Sequence, residues 1–253
     1  MPIRFKKFRF MKFIYFKILR PIILKSAWIL SQPFERMALR IGYAIMLSKF
    51  VKQNRIISFR EREGFYEYIL SKEKLNDEIE YLEFGVSKGC SLRWWLDNVT
   101  NPKANFIGFD TFTGIPENYG ILPKGSMSNS GRPPLITDPR CSFQVGLFQD
   151  TLPGFIKSFR LRRRKVINID CDLYSSTIFV LTALAPFLSV GDLIIFDDFG
   201  SLSCAEHEFR AFNDFFSSYR IKYELVASGS NYIQIAIKLK SVNTENNSSS
   251  LYV

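Results

Sequence analysis

Two short apolar runs, residues 166–169 and 193–196, stop abruptly at carboxylates in V-I-N-I-D-C-D and L-I-I-F-D-D. Unbroken apolar runs of this length read as strands buried on both faces. Between them, residues 175–188 carry an apolar face at helical spacing, with Ser175 or Ser176 as the N-cap. Strand, helix, strand at this spacing predicts a right-handed parallel crossover, which brings both strand ends to one edge of a sheet. The same alternation precedes it. Residues 81–86 form a first strand, 91–98 a helix, and 105–109 a strand ending at Asp110. Residues 143–148 form the next strand, and D-T-L-P starts a helix at Asp150 with Pro153 near its first positions. Past the paired aspartates come a helix over 204–219 and strands over 222–227 and 232–240. The region 36–75 is helical, with Gly42 and Gly64 as breaks, and 113–141 is an aperiodic Gly/Pro/Ser-rich stretch of the kind that forms lids and binding loops. There is no internal repeat.

These elements predict a doubly wound, Rossmann-like α/β sheet of seven strands, the last antiparallel. The domain spans 61–240, behind an N-terminal basic helical arm (1–60) and ahead of a polar, disordered tail (241–253). Charge sharpens the division. Residues 1–60 hold 14 Lys+Arg against the single acid Glu35, a net of +13, while the rest hold 20 against 23, a net of −3. The basicity therefore concerns the arm's partner and not the fold. Lysines and arginines interrupt every apolar run of the arm, so it has neither a ~20-residue span nor the core of a cleaved signal. Aromatics interleaved with Lys/Arg over residues 1–30 favour peripheral contact with an anionic membrane. Packing on the core or on a second subunit, as a homo-oligomer, comes next, and nucleic acid last. The four cysteines are widely spaced, as in a reducing, cytoplasmic compartment, with the arm holding the protein to the inner face of the membrane.

The candidate chemistry sits at the strand ends. Asp170, Asp172, Asp197 and Asp198 meet outside two parallel strands, where open α/β sheets bind ligands. Four carboxylates in one crevice call for a positive partner, and a hard divalent ion such as Mg²⁺ takes oxygen ligands only. Each aspartate could instead serve as a helix cap. In E-F-G-V-S-K-G-C-S, Gly85 and Gly89 let the backbone approach a ligand, with Ser87 and Ser91 beside them, and Asp110 is placed to receive ribose hydroxyls. The turn is G-x-x-x-G and lacks the G-x-G-x-x-G of dinucleotide sites. S-adenosylmethionine, which has ribose and adenine but no phosphate, fits better than NAD, whose oxidoreductases are the rival within this fold. Glu83 either faces the cofactor's cationic amino acid part or lies on the solvent side of its strand. His207 reads as an exposed helical residue, R-L-R-R-R-K (160–165) as a solvated basic edge, and Cys171 as pointing to the core. One of Trp94 and Trp95 is core and the other borders the cofactor.

Five motifs in order, E-F-G-V-S-K-G-C-S, F-I-G-F-D-T-F-T-G-I-P-E, G-L-F-Q-D-T-L-P, I-D-C-D-L-Y-S-S-T and I-I-F-D-D-F-G, resemble the macrocin O-methyltransferase family over about residues 78–240. These are class I enzymes that methylate sugar hydroxyls in natural products. The resemblance implies that Glu83, Gly85 and Asp110 hold S-adenosylmethionine, with Asp150 near the adenine or serving as an N-cap. It also implies Mg²⁺ at Asp170, Asp197 and Asp198, with Asp172 as the catalytic base. Lys88 and Cys90 around Gly89, and S-C-A-E-H-E-F after the aspartate pair, depart from the family pattern. The alternative from another class is a membrane-attached scaffold that keeps the fold without turnover.

Overall fold

The computed structural model describes residues 11–159, 161–201 and 204–242. The tail from 243, the first ten residues with Phe5, Phe8 and Phe10, and Arg160 lie outside the described residues. A π-helical turn, Tyr15–Leu19, leads into helix α1, Arg20–Gln53. Gly42 does not break it: one helical glycine costs about 1 kcal/mol, and the flanking turns outweigh that. The chain divides into two compact units between Gly42 and Tyr43. In the first, Met11, Phe13, Tyr15, Phe16 and Ile18 are exposed. No helix among the described residues is long and apolar enough to cross a membrane. The second unit begins within α1. Tyr43, Leu47, Phe50 and Val51 pack into the core, so charge places these residues with the arm and packing places them with the domain.

That domain is one mixed sheet of eight strands in the order β1-β7-β8-β6-β5-β2-β3-β4. The strands are β1 Ser58–Phe59, β2 Ile79–Phe84, β3 Asn105–Asp110, β4 Cys141–Val145, β5 Arg164–Ile169, β6 Leu193–Phe196, β7 Lys222–Gly229 and β8 Gln234–Ser241. The extra strand is β1, two residues paired in parallel with β7, too short to carry a readable period. Strand β8 is antiparallel to both β6 and β7, as expected. Helices cover both faces. On one lie α2 (Arg62–Lys72) and α3 (Cys90–Asn98), and on the other α4 (Phe148–Ser158), α5 (Tyr174–Leu184) and α6 (Glu208–Tyr219). Helix α6 shows the logic: Phe209, Phe212, Phe215 and Phe216 recur at helical spacing and are all buried, each worth about 1.5–3 kcal/mol. Gly64 lies inside α2 and breaks nothing.

Two cap expectations fail. Helix α5 starts at Tyr174 after Leu173, with no side-chain cap from Ser175 or Ser176. Its Tyr174 N–H is instead satisfied by His207 Nδ1 at 3.2 Å, a cap supplied by a distant element that local sequence cannot show. Helix α4 starts at Phe148, so Asp150 lies in its first turn and not at the N-cap, and Pro153 lies inside it. The basic stretch before β5 is also only partly solvated. Lys165 is 1 % exposed and pairs with buried Asp192 at 3.1 Å.

Candidate active site

Strands β2 and β5 are neighbours, with β3 and β4 to one side and β6 to the other. This is the switch point of the sheet, and a cavity of about 720 Å³ opens at its carboxyl edge. Gly85, Ser87 and Asp110 line one half, and Asp170, Asp172, Asp197 and Asp198 line the other, together with Arg62. Glu83, Gly89, Ser91 and Asp150 are not on its wall.

The glycine half is tightly bonded. Gly85 has φ +93°, and an added Cβ would lie 1.8 Å from the Asp170 carbonyl oxygen, so only glycine lets β2 turn beside β5. Gly89, at φ +75°, precedes the first residue of α3 and sits against Pro134. Asp110 Oδ2 accepts the N–H groups of Val86 at 2.9 Å and Ser87 at 2.7 Å, and Oδ1 accepts that of Phe112 at 2.7 Å. A carboxylate has about four acceptor positions, so three fix the turn and one remains for a ligand hydroxyl. Glu83 is fully buried, which excludes the solvent-side reading. Tyr81 Oη donates to its Oε2 at 2.6 Å and Ser91 Oγ to its Oε1 at 2.7 Å. Burial pushes its pKa up to about 7, against the pull of those two donors.

The carboxylate half is strained by charge. Burial and its acidic neighbours, Asp197 foremost, hold the Asp170 carboxyl well above the usual range. Asp172, at φ +61°, is pushed up to about 8 by burial and by Asp198 within hydrogen-bonding reach. Burial also lifts Asp197 to about 6, against the pull of Arg62. Arg62 Nη2 donates to Asp197 Oδ2 at 2.6 Å, while the buried Asp197 Oδ1 makes no well-formed hydrogen bond among the described residues, although the Gln234 and Asp170 side chains lie close enough to favour its charged form. Asp198 accepts Tyr119 Oη at 3.2 Å, and its N–H donates to Glu208 Oε2 at 3.0 Å. Glu208 is a fully buried carboxyl next to the cluster, raised by burial and by Asp198.

Sequence reasoning missed Arg62, Tyr119 and Glu208. Arg62 lies before the motifs, Tyr119 in an aperiodic loop, and Glu208 in the segment that departs from the family pattern, which was the one available signal. Part of the loop lies at the cavity: Gly114, Ile115, Pro116 and Met127 line it, and Ser175 Oγ donates to Glu117 Oε1 at 2.6 Å. His207 is not a free-standing exposed residue. Besides capping α5, its ring lies 5.0 Å from that of Tyr119. Cys171 is buried, with Sγ 3.4 Å from Thr177 Oγ1. Trp95 is core, and Trp94 packs on Trp95 and Tyr66 away from the cavity.

The donor set suits a hard divalent cation, being all oxygen with one buried Asp197 oxygen unbonded. The placement is less complete. Among the described residues no group of three or more His, Cys, Asp or Glu is arranged to hold an ion, and a guanidinium stands on Asp197. The residues fit the ion by chemistry, with Arg62 where its charge would lie.

Known proteins give a consistent picture. Residues 134–227 match the family model for Macrocin-O-methyltransferase (TylF). Over 96 residues the chain is 40% identical to an 8-demethyl-8-(2,3-dimethoxy-alpha-L-rhamnosyl)-tetracenomycin-C 4'-O-methyltransferase from Streptomyces olivaceus, covering 37% of this chain and 30% of that protein. Over 116 residues it is 36% identical to a mycinamicin III 3''-O-methyltransferase from Micromonospora griseorubida, covering 45% and 42%. The chain thus spans less than half the length of these relatives. Among solved structures, the calicheamicin methyltransferase CalS11 shares the fold at TM-score 0.54 and 19% identity, over 78% of this chain and 91% of that one. The O-methyltransferase NovP does so at TM-score 0.54 and 22% identity, over 71% and 78%. The chain therefore shares its fold with these two methyltransferase structures, and the resemblance read from the motifs stands, carried by the match of residues 134–227 to the macrocin-O-methyltransferase family model.

Proposed function

We propose that this chain transfers a methyl group from S-adenosylmethionine to a hydroxyl of a sugar or glycan. The observation that carries the reading is the two-part cavity at the switch point, with a hydrogen-bonded glycine turn on one side and Asp172 beside Asp198 on the other. The sugar-methylating relatives support the acceptor class. Gly85 and Ser87 would let the cofactor's amino acid part approach the backbone, and the remaining acceptor position of Asp110 would take one ribose hydroxyl. When bound, the cofactor supplies an electrophilic methyl on a sulfonium. Asp172 would receive the acceptor's hydroxyl proton as the oxygen attacks that methyl, leaving a methyl ether and S-adenosylhomocysteine. A positive charge bound on the neighbouring carboxylates would lower the raised pKa of Asp172 and free it to accept the proton. Asp170, Asp197 and Asp198 would hold Mg²⁺, which when bound lowers the pKa of a hydroxyl on it. The loop from Gly114 to Met127 would cover the acceptor and exclude water.

The test is turnover. The chain incubated with S-adenosylmethionine and a panel of sugar glycosides and nucleotide sugars should release S-adenosylhomocysteine together with a methylated acceptor. Cofactor binding by calorimetry with no turnover on any acceptor would favour the scaffold alternative, and NAD binding in its place the oxidoreductase.

The exposed aromatic and aliphatic side chains of the arm, set among Lys12, Lys17, Arg20 and Lys25, support peripheral contact with an anionic bilayer. Each basic residue near such a surface contributes about 1 kcal/mol. Co-sedimentation of the full chain with phosphatidylserine vesicles at low salt, lost at high salt, is the expected result. No sedimentation at low salt would overturn it.

A further inference from the structure

Arg62 breaks a local rule. It is the first residue of α2, where the free N–H groups of the helix repel a cation, and α2 has Glu61 as its N-cap residue without a capping bond. Local misfits of this kind concentrate where a residue is held for another reason. Here the reason is visible. The segment before α2 is fastened to the sheet: Ser228 N–H donates to Ile57 O at 2.9 Å, Ile56 N–H to Tyr232 Oη at 3.3 Å, and Tyr232 Oη to Asn54 O. Strand β1 then delivers the chain to the carboxyl edge, and the guanidinium closes on Asp197.

We propose that Arg62 is the resident counter-cation of the carboxylate cluster, and that a divalent ion binds there in competition with it for the charge of Asp197. The inference rests on reading Asp170, Asp197 and Asp198 as the cation site. Arg62 supplies one positive charge at a wall that also holds Asp170, Asp172 and Asp198, with Glu208 buried behind them. One Asp197 oxygen is taken by Nη2 at 2.6 Å, and the other is buried without a well-formed hydrogen bond among the described residues, with Gln234 and Asp170 near the carboxylate. A guanidinium already on that carboxylate repels an incoming divalent ion and draws on the same negative charge, so it weakens the ion's hold. The partners also differ in freedom: the Asp197 side chain is 7% exposed and the Arg62 side chain 43%. The arginine is therefore the partner free to give way, and the aspartate is the fixed one. Arg62 lies ahead of every motif that carries the family resemblance.

Calorimetric titration of the full chain with Mn²⁺ alone, without cofactor or acceptor, tests this. Arg62→Gln should bind Mn²⁺ at least about tenfold tighter than wild type, and Arg62→Lys, which keeps the charge but loses the planar fork, at an intermediate affinity. Glu63→Gln, an exposed neighbour off the cavity wall, should match wild type. Without metal Arg62→Gln should melt below wild type, and saturating Mn²⁺ should narrow the gap, because the ion restores the lost charge. Equal or weaker Mn²⁺ affinity in a folded Arg62→Gln would overturn the proposal. If Arg62→Gln does not fold, Arg62→Lys decides the matter: affinity no tighter than wild type would sink it. No Mn²⁺ binding by any form would overturn it together with the cation reading of the three aspartates. Methyl transfer is judged by its own turnover assay, so its failure is seen separately.

Discussion

The two halves of the cavity are built from the same kind of part, a strand that ends in a carboxylate, and they are left in opposite electrostatic states. At β3, Asp110 faces backbone N–H groups and has three of them within 2.9 Å. At β5 and β6, Asp170, Asp172, Asp197 and Asp198 face one another, with Arg62 on one of them. Neutral dipoles fixed by the fold can satisfy a carboxylate completely, and other carboxylates cannot. The first half is therefore held in shape before any ligand arrives, with one acceptor position of Asp110 left over. The second keeps an excess of negative charge, met only by Arg62 on Asp197 and by the raised proton affinity of Asp170 and Asp172.

The largest expected effect breaks the seam between the halves. Gly85→Ala places a Cβ against the Asp170 carbonyl at a φ that only glycine adopts easily. It should lower stability by at least about 3 kcal/mol, read from urea unfolding midpoints. An unchanged midpoint would mean that β2 and β5 do not meet as described. Next comes the charged half alone. Asp172→Asn keeps the shape and removes the proton acceptor, so turnover should fall at least about 100-fold with cofactor affinity within a few-fold. Full activity in Asp172→Asn would show that no side-chain base is needed. The satisfied half should answer in the opposite way. Asp110→Ala strands three N–H groups, one of them on partly exposed Ser87, and should weaken S-adenosylmethionine binding by about 10–100-fold in calorimetry. Binding within twofold of wild type would remove Asp110 from the cofactor site.

How much of this was legible follows the same division. The crossover and its aspartates were readable because buried parallel strands announce themselves as apolar runs and topology fixes where their ends go. Asp110 and Gly85 were readable because a strand, a glycine turn and an acid are local. What escaped was everything supplied across the chain: His207 capping Tyr174, Glu208 accepting the Asp198 N–H, Tyr119 reaching Asp198 from an aperiodic loop, and Arg62 reaching Asp197 over 135 positions of sequence. Each satisfies a polar group that sequence marks as needing a partner but does not assign one. The two-residue β1 escaped for a simpler reason, since no period exists in two residues.

Glu83 offers the finest test, because it sits behind the satisfied half yet feels Asp197 of the other. Its partners, Tyr81 and Ser91, hold both oxygens, but burial dominates and raises its pKa from 4.5 to about 7. The folded chain therefore binds a proton there more tightly than the unfolded chain does. The stabilisation from that proton is fully present below the unfolded value of about 4.5 and is lost as pH rises through about 7. Glu83→Gln has no proton to lose, although its amide cannot accept from both hydroxyls, so at any single pH the gain and loss partly cancel. The slope does not cancel. Wild type should lose stability relative to Glu83→Gln by on the order of 1–3 kcal/mol between pH 5 and pH 8, read from paired urea melts. Parallel pH profiles for the two proteins would mean that Glu83 is already ionised at low pH, held by a positive charge absent from its present surroundings.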